Sequence, residues 1–178
     1  MPAVFLHSTF AYLMKRLSPK FSLPALLVGS MMPDVEVPII YFLTNGAIDR
    51  LLFHSIIGAM TIGTIASVVI VVFIYPSFVS FFVRMDKTYI KKKCSFSWTL
   101  IGLCLIGNVS HVLIDATHHT FNPLMYPILD QSIDLFRISS SRLFDTGIIT
   151  GILSVIYFVY AVVSLREGKS FWKQMSVG

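Results

Sequence analysis

An apolar stretch late in the chain carries His111, Asp115, His118 and His119, with Asn108 just ahead of them. An α-helix turns about 100° per residue, so Asn108, His111, Asp115 and His118 share one stripe, while His119 points off it. A His and an Asp at i, i+4 present an imidazole nitrogen and a carboxylate oxygen to one point, which is how helical metal sites are built. A buried His–Asp hydrogen bond locking two helices would leave the same pattern. The rest of the chain favours the metal. His7 lies inside the first apolar run, Asp34 and Glu36 inside the second, and His54 opens the third. Ionisable groups in such surroundings are costly and by default mark function.

Five candidate ligands therefore stand out: His7, Asp34, His54, His111 and Asp115. His, Asp and Glu without cysteine suit zinc, manganese, iron or a magnesium-like ion. More than four ligands permit two ions, the arrangement that clamps the attacking and leaving oxygens of a phosphoester. Glu36 could bind the metal, serve as general base, or face water at a helix break; His118 is the other candidate for acid–base work. Ser55 could orient His54, although a helix Ser bonding its own backbone is the duller outcome. Arg137 and Arg142 could hold an anionic group or simply face solvent. Neither a Gly-rich phosphate loop nor a nucleophile elbow is present.

The elements that must position these groups are membrane helices. Of 178 residues, 55% are hydrophobic and only 13% charged, and the mean hydropathy is +0.77. A soluble domain carries about 25% charged residues, so a soluble enzyme and a disordered chain are both excluded. The length suits one domain of four or five spans at roughly 20 residues each. Apolar runs fall at residues 2–14, 22–43, 51–83, 97–117 and 146–165. The first is short, and its basic residues follow it rather than precede it, the reverse of a secretory signal. The second is broken at 33–38, where two prolines flank two acids. Pro76 is expected to kink the third. A turn is expected at 45–50, a basic loop at 84–93 and a polar connection at 118–144.

The net charge of +5 could suggest nucleic acid, but the basic residues sit at the ends of apolar runs and point to membrane orientation instead. Eleven of the fourteen Lys and Arg lie at 15–20, 84–93 and in the tail. The positive-inside rule then places the C-terminus in the cytoplasm, the N-terminus outside if the first helix inserts, and the candidate ligands together near the outer face of the cell membrane. Cys94 and Cys104 share no metal-type spacing and are expected to be free thiols.

His7 in a short first helix, Gly29-Ser30 with Pro33-Asp34-x-Glu36, His54-Ser55 opening a helix, and Ser110-His111-x-x-x-Asp115-x-Thr117 together resemble the small prokaryotic membrane-bound metal-dependent hydrolases. The best-known branch of that family includes an SOS-induced inner-membrane protein; this chain looks closest to a sister branch that begins Met-Pro with a His near position 7. The resemblance implies metal ligands at His7, Asp34, His54, His111 and Asp115. The pattern is also distantly similar to zinc-dependent phospholipases C, which implies zinc and a phosphoester. One departure stands out: the hydrolase branch often has His-Arg-x-x-x-His-Ser, whereas Asp49-Arg50-Leu51-Leu52-Phe53 precedes His54 here, so one ligand is missing.

The expected function is a membrane-embedded, metal-dependent hydrolase of a lipid or lipid-linked (phospho)ester. A divalent-cation transporter is the first alternative, although the inner halves of the spans are almost wholly apolar. A structural membrane protein joined by polar helix–helix bonds is the second.

Overall fold

A computed structural model describes residues 6–119, 121–129, 131–133, 141–166 and 170–178. Residues 1–5, where the first apolar run begins, and Arg137 lie outside the described residues, as does the Arg142 side chain. The described chain holds eight helices and no strand: α1 (Ser8–Leu17), α2 (Leu23–Met31), α3 (Glu36–Leu43), α4 (Ile56–Val83), α5 (Lys87–Lys93), α6 (Trp98–Asp115), α7 (Arg142–Arg166) and α8 (Phe171–Ser176). The all-α membrane bundle expected from composition holds. Helices α4, α6 and α7 are each long and apolar enough to cross a membrane; α2 with Pro33–Leu43 makes a fourth span if the two bent pieces act as one. Ten-residue α1 reaches only about 15 Å, half of a hydrocarbon core of about 30 Å. Phe42, Phe73, Phe81 and Phe158 point outward, as suits a surface solvated by acyl chains.

The second run breaks where its sequence demands. Pro33 opens a 3-10 turn, Pro33–Val35, and the helix axis bends by 42° across it. Pro38 does not add to the break. It lies in the first turn of α3, where a missing N–H costs nothing. Pro76 is likewise absorbed: α4 widens into a π-type segment at Ile70–Ile74 just before it, which makes room for the ring. The expected basic loop at 84–93 instead contains α5, started by the Asp86 carboxylate accepting from the Tyr89 N–H at 2.8 Å.

The contact that places the site is between α2 and α6. A Cβ on Gly29 would stand 2.5 Å from the Cys104 carbonyl oxygen, and one on Gly107 would stand 2.8 Å from the Ser30 nitrogen. The two backbones touch, as small residues allow in membrane helices. Helix α4 joins through Asn108, whose amide donates to Ser67 Oγ and to the Cys104 carbonyl, both at 2.9 Å. Leu26, Val71, Leu100 and Leu103 fill the core below. At the far end Lys15 donates to the carbonyls of Pro19 and Phe21, and Ser22 donates to that of Lys93. Basic residues thus gather at one end of the bundle, and the candidate ligands at the other. Cys94 and Cys104 are both free and buried.

Candidate metal centre

The ligand-bearing end is assembled from chain breaks. His7 caps α1, Asp34 sits in the Pro33–Val35 turn, and Glu36 begins α3. His54 precedes α4, while His111 and Asp115 occupy the last turn and a half of α6. Helices end where carbonyls and N–H groups go unpaired, so polar side chains are at home there.

Asp34, His54, His111 and Asp115 converge so closely that one donor atom from each lies within 4.8 Å of every other. His54 Nε2 stands 3.7 Å from Asp34 Oδ1 and 3.5 Å from Asp115 Oδ2. His111 Nε2 stands 3.6 and 3.5 Å from the same two oxygens. These separations are long for hydrogen bonds. They are near the edge of about 3.3 Å for a tetrahedron of ligands roughly 2.05 Å from a zinc-sized ion. Both Nε2 atoms are buried without a hydrogen-bond partner, a condition that buried polar atoms rarely tolerate.

Each ring is also aimed. His54 Nδ1 donates to Glu36 Oε1 at 2.9 Å, and His111 Nδ1 donates to the Ser30 carbonyl at 2.7 Å. With the Nδ1 proton so fixed, the Nε2 lone pair faces the cluster, as in metal-ligating histidines. Glu36 does more than orient His54. Its oxygens also accept from the backbone N–H groups of Leu51 at 2.7 Å, Phe53 at 2.9 Å and His54 at 3.2 Å. So engaged, Glu36 positions His54 and the loop before it, with three contacts on Oε1 and one, from Phe53, on Oε2. Ser55 does not orient His54 either. It donates to the Leu52 carbonyl and accepts from the Gly58 N–H, capping α4.

The other oxygen of Asp115 faces a second group. His7 Nε2 is 3.3 Å from Oδ1, His119 Nε2 3.6 Å and His118 Nε2 3.9 Å. His7 stacks on His111 with ring centroids 4.0 Å apart, so it adjoins the four-donor set without belonging to it. His118 Nδ1 donates to the Ile114 carbonyl at 3.0 Å, leaving its buried Nε2 unpaired. Burial lowers the pKa of His118 and pushes that of His119 down to about 3, so both rings are neutral near pH 7, the form that binds metal. His119 was expected to point away. Helix α6 stops at Asp115, however, and the His118 and His119 N–H groups both fold back onto the Asp115 carbonyl.

Arg50 is the residue that sequence reading missed. It ends the turn expected at 45–50, yet it is 2% exposed and donates from Nη1 to Asp115 Oδ2 at 2.8 Å. Asp49 holds its other side, Nε to Oδ1 at 3.1 Å. Burial works against the Asp49 carboxylate, but the guanidinium outweighs it and lowers its pKa. The available signal was a lone Arg beside an acid, four residues before His54, in a chain with few charges. Asp145, also unflagged, is buried at the start of α7 with both oxygens unpaired, next to Thr146, which reaches the His118 carbonyl.

The residues fit a divalent cation. Asp34, Glu36 and Asp115 set three carboxylates against an Arg50 guanidinium that Asp49 shares, and a divalent cation would offset the net negative charge left there. The family pattern described as a domain of unknown function (DUF4184) matches residues 1–177, and the chain belongs to that family. No curated protein and no solved structure matches it.

Proposed function

We propose that this member of the DUF4184 family is a membrane-embedded metal-dependent hydrolase acting on a lipid or lipid-linked (phospho)ester at the extracytoplasmic face. The observation that carries this reading is the pair of buried, partnerless Nε2 atoms of His54 and His111 set 3.5–3.7 Å from oxygens of Asp34 and Asp115. Asp34, His54, His111 and Asp115 would hold the ion, with zinc favoured and manganese, iron or magnesium as alternatives. Such an ion supplies Lewis acidity and a water of lowered pKa. Arg50, held between Asp115 and Asp49, sets a positive charge beside the cluster, which supports an anionic phosphoester over a neutral ester. Glu36 keeps His54 in register, and the neighbouring Phe53 and Leu51 amides share its charge.

The lipid part of the reading rests on a cavity of about 750 Å³ among α1, α2, α4, α7 and α8, lined by Tyr12, Met31, Ile74 and Phe78. It reaches Ser8 and Val35, the immediate neighbours of His7 and Asp34, so an acyl chain lying there would bring its head group to the ligands. The basic far end, with Lys15, Arg16, Lys91, Lys92 and Lys93, supports a cytoplasmic placement for that end and an outer placement for the site. A transporter would need a polar path onward from the site, and the α2–α6 backbone contact and the Leu100–Leu103 core lie across it.

Metal analysis of the purified protein, followed by vesicle assays with phospholipid substrates, tests the proposal. We expect bound zinc or a related ion, phosphoester cleavage that chelator abolishes, and loss of both in His111→Ala. Metal content unchanged in both His111→Ala and Asp34→Ala would defeat the ligand assignment.

A further inference from the structure

Asp115 has two oxygens, and they face different company. Oδ2 looks toward His54, His111 and Arg50, while Oδ1 looks toward His7, His118 and His119. On the Oδ1 side, donors of Asp115, His118 and His119 also lie within 4.8 Å of one another. Two of those donors, Asp115 Oδ1 and His118 Nε2, are buried and unpaired. His118 is fixed as a ligand would be, its Nδ1 proton given to the Ile114 carbonyl and its Nε2 left bare. Hydrogen bonding within the cluster does not account for this, because His118 Nε2 is 3.9 Å from Asp115 Oδ1.

We infer that the Oδ1 side binds a second divalent cation, held by Asp115, His118 and His119, with the Asp115 carboxylate bridging the two ions. His118 is then a ligand and not a proton carrier. Three protein ligands leave a position open, as in catalytic zinc sites, and His7 is the reserve donor beside it. The inference deepens the hydrolase reading and rests on it for the first ion. Paired ions about 3.5–4 Å apart recur in enzymes that cleave phosphoesters, where they steady the attacking and leaving oxygens. The first ion already balances the buried charge, so the second binds more weakly. An anion such as inorganic phosphate, shared by the two ions, adds negative charge and tightens it.

The test is a Mn²⁺ titration of the chelator-stripped, full-length protein in detergent, read by equilibrium metal content and by electron paramagnetic resonance, with and without inorganic phosphate. Two ions per chain at saturation are expected, the second giving an exchange-coupled spectrum and binding more tightly with phosphate present. The His118→Ala/His119→Ala protein should saturate at one ion with an uncoupled signal; the Gln/Gln pair serves if the Ala pair misfolds, and elution volume and helical circular dichroism monitor the fold. Saturation of the parent at one ion, undisturbed by either pair, overturns the second site and leaves the first standing. Saturation at zero overturns both.

Discussion

At the scale of single residues, the candidate centre depends on side chains outside its four donors. Glu36 orients His54 and accepts three backbone N–H groups, so Glu36→Gln removes the charge that holds the ring. Loss of such an outer partner typically weakens metal binding about 10–100-fold, and competition with a chromophoric chelator should show that fall while helix content stays constant. Arg50→Ala acts differently. It strands Asp115 as a buried charge when no metal is present, and breaking a buried pair costs on the order of 3–5 kcal/mol. Melting in detergent should therefore show a large loss for Arg50→Ala in chelator and a smaller one in excess Zn²⁺. The clustering His and Asp residues were legible because a chain with so few charges makes each such group within an apolar run conspicuous. Arg50 was not, since a charge beside a turn reads as solvated until the fold closes over it. His119 was hidden by extrapolating a helix four residues past its end.

At the scale of elements, the α2–α6 crossing sets the spacing on which the four donors depend. A methyl at Gly107 meets backbone at 2.8–2.9 Å, whereas one at Gly102, on the same helix, meets nothing within 4 Å. Gly107→Ala should cost roughly 1–3 kcal/mol as the helices are forced apart, and Gly102→Ala should be neutral or stabilising by up to about 1 kcal/mol. The pair separates crowding from helix propensity in one thermal comparison. The five apolar runs gave the order of the helices, and Pro33 marked the bend correctly. Pro38 falls in the first turn of α3 and Pro76 just after a π-type segment, and a proline's effect depends on whether its missing N–H had a partner to lose. The touching glycines were visible only as two small residues in separate runs; nothing local says that they meet.

At the scale of the whole molecule, the clustered acids and imidazoles, with Arg50 among them, occupy one end, and Lys15, Arg16 and Lys91–Lys93 the other. The orientation this supports is open to labelling in intact cells. Cysteine placed at Thr44 should react with an impermeant maleimide, and cysteine placed at Lys91 only after permeabilisation. The native thiols should stay silent, since Cys94 is buried with its pKa pushed up to about 12 and Cys104 is packed against α2. The reverse labelling pattern would invert the assignment of the site to the outer face. The backbone seal between α2 and α6 then carries a physiological consequence. On the proposed outward placement, a metal centre floored in this way would be charged only from the exterior compartment, and its supply would be the free metal of the surroundings rather than the buffered pool within. If that placement and the proposed activity hold, depleting the outside of the metal would silence the protein without entry into the cell.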